Sequence, residues 1–134
     1  MTRRESRRTA FMLVFQKYSN DVSADEILDA AREDEELRTD EFCEQLVRAV
    51  CDHLPELDAL IEPNLKKWTM ARLPRVSLAV LRLSCAQLLF MPELPDSVVI
   101  NEAVELAKEF GDEDEYAFVN GTLRSINIRL KEHA

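Results

Sequence analysis

Glycine is almost missing from this 134-residue chain, which contains 2. A sheet protein of this length needs more glycine in its turns, so the scarcity favours helices. It also excludes a glycine-rich phosphate-binding loop. Histidine is equally scarce, at 2, and there is no CxxC pair. Cys43 and Cys51 share a helical face, whereas His53 points elsewhere, so neither a zinc site nor a Cys–His nucleophile pair is expected. The three cysteines, Cys43, Cys51 and Cys85, are odd in number and sit among apolar neighbours. They read as free thiols of a reducing cytoplasm. Long apolar runs are lacking as well. The run from Ala10 to Phe15 is too short for a signal-peptide core, and no small-residue cleavage site follows it. The stretch from Val76 to Met91 is too short for a bilayer and carries Arg82, so it reads as a buried core helix and no membrane contact is expected. A chain this poor in catalytic parts reads as a binding protein with no catalytic residue, no metal and no cofactor.

What is present is charge and apolar side chains, at 32% and 46% of residues. That balance fits one soluble domain, long enough to bury about two-thirds of its unfolded surface. The net charge is -9, yet the first eight residues, MTRRESRR, carry Arg3, Arg4, Arg7 and Arg8 against Glu5, a local +3 that leaves -12 for the remainder. The overall field repels nucleic acid, so any contact with a polyanion must be local. The cluster is also unfavourable where it stands. Arg3 with Arg7, and Arg4 with Arg8, are like charges at helical i,i+4 spacing, which repel by about 0.2–0.5 kcal/mol per pair. Cations at a helix start oppose the macrodipole by about 0.3–1 kcal/mol each. A polyanionic partner would offset that cost; the alternative is a frayed, solvated end.

Periodicity organises the rest into about seven helices without a strand candidate. The first runs from about Thr2, its cap, to Tyr18, with Phe11, Phe15 and Tyr18 on one face, as core or in part as a partner groove. Ser23 with Glu26 forms a capping box for a second helix, from Ala24 to about Glu35. Thr39 opens a third, carrying Phe42, Leu46, Val47, Val50 and Leu54, and Pro55 closes it. A short helix with Leu57, Leu60 and Ile61 is interrupted by Pro63. Pro74 suits the first turn of the apolar core helix. Asp96 or Ser97 caps the next helix, which Gly111 ends. The last runs from about Asp114 to Lys131, acidic at its start and basic at its end. It contains FVNGTL, residues 118–123. Asn-Gly usually marks a hairpin, but Phe118, Val119, Leu123 and Ile126 keep helical spacing. Gly121 inside a helix costs about 1 kcal/mol relative to alanine. One explanation is close helix approach at Gly121; the other is an exposed Phe118 and Asn120 that stack on and hydrogen-bond an unpaired base.

RRESRRTAFMLVF, WTMARLPRV, AVLRL, VVINEAVELAKEFG and FVNGTL together resemble, in order, the segments of the NusB family of bacterial transcription antitermination factors. Residues 19–60 match only in helical pattern. The resemblance implies an all-α bundle of two small helical subdomains, about residues 1–65 and 66–134, within one RNA-binding domain spanning 1–134. It implies a non-catalytic adaptor that pairs with NusE, a small-subunit ribosomal protein, binds the boxA sequence of nascent ribosomal RNA transcripts as single-stranded RNA, and joins other Nus factors on RNA polymerase. It places Arg3, Arg4, Arg7, Phe118 and Asn120 at the RNA surface, with Arg8 as a surplus arginine that strengthens the phosphate contacts. It places Phe15 and Asp114 at the surface facing the partner protein, and Ser77 at a position there that is usually acidic. The family usually has Glu at Arg8, Gln at Met12, Tyr at Phe15 and Tyr-Glu at Ala86-Gln87. Losing the acid at Ser77 and the hydroxyl at Phe15 removes polar anchors for a NusE-like partner. Two other readings stand beside this one. In the first, the chain is a homodimeric helical interaction module with its arginines buried between copies. In the second, it is an RNA-positioning domain of the kind found in an rRNA methyltransferase, although 134 residues leave no room for a cofactor-binding domain.

Overall fold

The computed structural model describes residues 1–16 and 22–133. Among them are seven α-helices, two short 3-10 turns and no strand: α1 (Arg3–Gln16), α2 (Ala24–Glu33), α3 (Glu41–Cys51), α4 (Leu54–Ile61), α5 (Arg75–Phe90), α6 (Asp96–Phe110) and α7 (Glu113–Glu132), with the turns at Glu62–Asn64 and Met70–Arg72. The expected all-α architecture is the one observed. Tyr18, placed on the aromatic face of the first helix, lies outside the described residues.

Local chemistry starts most of these helices. At α1, the Glu5 amide donates to Thr2 Oγ1 (3.1 Å) and the Thr2 amide donates to Glu5 Oε1 (2.9 Å), a reciprocal capping box. Ser23 accepts from the Glu26 amide at 3.1 Å and caps α2. Two expected caps shift by one residue. Asp40, not Thr39, caps α3 and accepts from the Cys43 amide at 2.9 Å. Pro95 precedes α6, and Asp96 is its first residue, a carboxylate at the positive end of the dipole. Pro55 does not close α3, which ends at Cys51; it occupies the first turn of α4, where a missing N–H costs nothing. Gly111 does end α6, but with extended backbone (φ -109°, ψ -178°) rather than a left-handed turn. Crowding explains the glycine: a Cβ there would stand 2.8 Å from Glu115 Oε2 and 2.9 Å from the Ala107 carbonyl oxygen.

The centre is α5, which packs against α1, α3, α4, α6 and α7. Every residue from Ser77 to Gln87 on it is buried, as expected for a helix apolar nearly all round. Its one charge inside that run, Arg82, holds Asp58 of α4 through a two-pronged ion pair, Nε to Oδ1 at 2.9 Å and Nη2 to Oδ2 at 2.8 Å. The cysteines are packing residues. Burial pushes the Cys43 and Cys51 thiols up to about 11 and Cys85 up to about 12, so none forms a thiolate at neutral pH. His53 is tied locally: its Nδ1 lies 2.9 Å from the Ala49 carbonyl oxygen, and its ring stacks on Phe90.

Helix α1 is moored to α3 by Ser6, which is fully buried and donates to Asp40 Oδ2 at 2.6 Å. That bond, first among the causes, holds the Asp40 carboxyl below its ordinary range. A depressed carboxyl stabilises the fold above its unfolded value, near 3.9, and the contribution is lost as pH falls through the folded value. Asp40→Ala is therefore expected to cost about 1–2 kcal/mol at neutral pH, because it removes a cap and the acceptor of Ser6. Asn keeps the cap but not the charge. The difference in stability between wild type and Asp40→Asn should be present in urea unfolding at neutral pH and vanish in acid. A difference independent of pH would show that the charge is idle.

Candidate nucleic-acid interface

The four arginines of α1 do not project together into solvent; each is held by another part of the fold. Arg3 lies over the Phe42 ring of α3, with its guanidinium carbon 3.9 Å from the centroid. Arg4 places Nε 3.1 Å from Glu102 Oε2 and Nη2 3.1 Å from Glu102 Oε1 on α6. Arg8 donates from Nε to Glu109 Oε1 at 2.7 Å, also on α6, and lies over Phe110. Arg7 is buried, 4% exposed, and donates from Nε to Gln87 Oε1 of α5 at 2.8 Å. Burial pulls its guanidinium below the ordinary value, against the opposing pull of Glu102. The hydrogen bond to Glu102 raises that of Arg4.

This corrects two expectations. Arg7 is buried rather than openly exposed, because its neighbours Ser6, Ala10 and Phe11 turn that face of α1 into the core, although it forms part of a groove wall. The cost of like charges at a helix start is offset inside the molecule, by Glu102, Glu109, Gln87 and the Phe42 and Phe110 rings, so it does not by itself call for a polyanion. Arg3, Arg4 and Arg8 remain exposed.

Helices α1 and α6 meet chiefly through these long side chains, and a groove of about 520 Å³ lies between them, lined by Arg4, Arg7, Arg8, Glu102, Glu105, Lys108 and Glu109 among others. Glu105 and Lys108 also line a second depression, about 410 Å³, on the α6–α7 face with Asn101, Tyr116, Ala117 and Asn120. Ala117 in turn borders a third, about 190 Å³, with Asn64, Lys66, Lys67, Phe118 and Gly121. Neighbouring depressions share wall residues, Glu105 and Lys108 between the first two and Ala117 between the last two. The first sets Arg4, Arg7, Arg8 and Lys108 against Glu5, Glu102, Glu105 and Glu109, the middle one carries the Asn101 and Asn120 amides, and the last carries Lys66 and Lys67.

Phe118 is half-buried and meets Trp68 edge-on, ring centroids 4.7 Å apart, while Lys67 Nζ lies 4.7 Å from the Trp68 ring. Asn120 sits in the middle depression and accepts from Arg124 Nε at 3.1 Å. Two residues apart on one helix, Phe118 and Asn120 therefore open into adjoining depressions rather than one pocket. Gly121 does not mark a close helix approach: a Cβ there would meet nothing within 4 Å. The exposed Asp114 approaches Lys67 Nζ at 3.8 Å. Phe15 is half-buried and stacks on Phe11 at 5.7 Å. Ser77, expected at a protein-facing surface, is buried and donates to Glu115 Oε1 at 2.8 Å. Glu115 also accepts from the Asp112 amide at 2.7 Å, so an acid from α7 fills the space behind Ser77 and the site is internal.

Sequence reasoning missed Lys66, Lys67 and Lys108 and the α6 acids. The KKW triplet carried a readable signal, cations beside an aromatic. Lys108 and Glu102 carried none, since their importance comes from which helix faces α1.

Comparison with known proteins gives concordant results. A family model described as the NusB family matches residues 4–127. The transcription antitermination protein NusB of Lysinibacillus sphaericus is 42% identical over 123 residues, 92% of this chain and 94% of that protein. The solved NusB of T. maritima superimposes with a TM-score of 0.80 at 33% identity, covering 100% of this chain and 99% of that one. A crystal structure of the antitermination factors NusB and NusE in complex with double-stranded RNA matches with a TM-score of 0.82 at 28% identity, over 95% of this chain and 96% of that one.

Proposed function

The chain belongs to the NusB family, and on that premise we propose that it serves transcription antitermination as a non-catalytic RNA-binding adaptor. Its partner is a NusE-type ribosomal protein, and together they bind boxA-type single-stranded RNA of nascent ribosomal RNA transcripts. The pair then joins other Nus factors on RNA polymerase in the bacterial cytoplasm. The observation that carries this reading is the row of adjoining depressions from Arg4 and Arg8 of α1, past Lys108, to Lys66, Lys67 and Phe118, which packs on Trp68. Lys66 and Lys67 suit phosphates at one end, Arg4 and Arg8 suit them at the other once released from their acids, the aromatic pair suits a base, and the Asn101 and Asn120 amides suit base edges. The relative crystallised with NusE and double-stranded RNA supports NusE and RNA as partner classes.

In this reading Arg3, Arg4 and Arg8 contact phosphates, and Arg7 holds α1 in place beneath them. Phe118 stacks with Trp68 on a base, and Asn120 reads or positions its neighbour. Phe15 and Asp114 face the partner protein. The remaining -12 of charge disfavours RNA in the isolated chain. A basic partner completes the positive surface.

The test is binding of a boxA-like RNA, with and without the ribosomal protein, across a salt series. Changing Arg3, Arg4 and Arg8 together to alanine should weaken binding and flatten the salt dependence by about 2 in the slope of log K against log salt, at roughly 0.7 per lost contact with a single strand. Arg7 is left intact because its loss would disturb the core. Equal affinity and equal slope for variant and wild type would remove the arginines from the RNA surface.

A further inference from the structure

We propose that Glu102 and Glu109 of α6 act as built-in competitors for the RNA phosphates, so that RNA must displace these carboxylates from Arg4 and Arg8 before those arginines can engage it. The inference rests on the RNA-binding reading above and adds a regulatory contact to it.

The geometry is specific. A phosphate is gripped most firmly by the guanidinium fork, two N–H groups donating in parallel. In Arg4 that fork is already occupied: Nε reaches both Glu102 oxygens, at 3.1 and 3.3 Å, and Nη2 reaches Oε1 at 3.1 Å. In Arg8 the Nε donor is taken by Glu109 at 2.7 Å. Both acids line the same groove as the arginines. A phosphate entering there meets two carboxylates as well as the cations, and like charge repels it. The two acids differ in freedom. The Glu102 side chain is 18% exposed and Glu109 43%. Glu109 can turn into water when released, whereas Glu102 stays in the groove and keeps competing. Arg3 lies outside this groove, over the Phe42 ring with Asp40 and Glu41 beside it, so the competition concerns Arg4 and Arg8.

The arrangement has two consequences. It lets an acidic protein keep an arginine cluster at a helix start without a stability penalty. It also lowers affinity for polyanions in general, so that only an RNA with further contacts along the groove, or one presented with a basic partner protein, binds well.

The experiment uses the full chain with its ribosomal partner, a boxA-like RNA and an unrelated single strand of equal length. Glu102→Gln and Glu109→Gln keep the side-chain shape and remove the charge, and glutamine leaves Arg4 one acceptor oxygen where Glu102 offers two. Each should tighten binding of both RNAs by about threefold and the double variant by about tenfold, on the scale of exposed ion pairs. The decisive arms repeat E102Q in an Arg4→Ala background and E109Q in an Arg8→Ala background, where the gain should disappear. Glu109 is surface-exposed, so E109Q tests the idea even if E102Q perturbs folding, which thermal unfolding reports. Wild type that binds RNA with no gain in either glutamine variant overturns the competition alone. The same gain with and without the paired arginine also overturns it, since the acids would then act only through net charge. Absence of RNA binding in every protein overturns both this inference and the RNA-binding reading.

Discussion

Phe11→Ala is expected to remove about 3–5 kcal/mol of stability, the range for a large aromatic deleted from a packed core. Phe11 is 2% exposed and sits between two other rings, Phe15 at 5.7 Å and Phe110 of α6 at 4.7 Å. Alanine would leave a cavity that neither ring can fill. Phe15 is on the same rigid helix, and Phe110 is held at the end of α6 beside Gly111. For a chain of this length the loss corresponds to a fall in melting temperature of roughly 10–15 °C. Because the Phe11–Phe110 stack and the Arg4 and Arg8 ion pairs span the same gap between α1 and α6, RNA affinity should fall as well, even under conditions where the variant stays folded. Phe11→Leu should recover more than half of the stability. Calorimetry on the two variants checks this. A cost below about 1 kcal/mol for alanine would mean that the α1–α6 seam is loosely packed.

The second large effect concerns Asp58. Its bidentate pair with Arg82 joins α4 to the central helix, and the Arg82 side chain is only 10% exposed while that of Asp58 is 30% exposed. Removing Asp58 takes from Arg82 the carboxylate that offsets its desolvation in a poor solvent and leaves it only its other contacts. Asp58→Ala should therefore cost about 3 kcal/mol, the lower end of the range for buried pairs because water reaches Asp58. Replacing both members by apolar residues of similar size, as in Asp58→Leu with Arg82→Met, should restore most of the loss, since the charges' desolvation cost then disappears with their attraction. Urea midpoints of the single and double variants decide the matter. A double variant no more stable than the single one would show that the attraction itself, rather than the desolvation of Arg82, dominates.

Much of the fold was legible because it rests on short-range chemistry. Capping residues at Thr2 and Ser23 satisfy amides three positions away, and apolar residues at helical spacing along α5 leave only a buried position open to it. The errors lie where a neighbour in sequence competed for the same task. Asp40 caps α3 instead of Thr39 because Ser6, from another helix, anchors its carboxylate. Pro55 begins a helix rather than ending one because α3 had already stopped at Cys51. The candidate site was half legible. Phe118, Asn120 and the exposed Arg4 and Arg8 line neighbouring depressions, Arg3 lies apart over Phe42, and Ser77 and Arg7 are buried.

By itself, then, the order of residues determined which segments are helical, which face of each is apolar, and that a +3 cluster opens a chain otherwise at -12. These follow from bonds and periodicities within a few residues. What the arginines do was decided only by tertiary structure. Whether a guanidinium meets Gln87, Glu102, Glu109 or an aromatic ring depends on which helix packs across from α1, and the polar contacts span 80 to 101 positions of sequence. The attraction between such groups falls off within a few ångströms in water, so only the packing of the helices could assign each charge its partner.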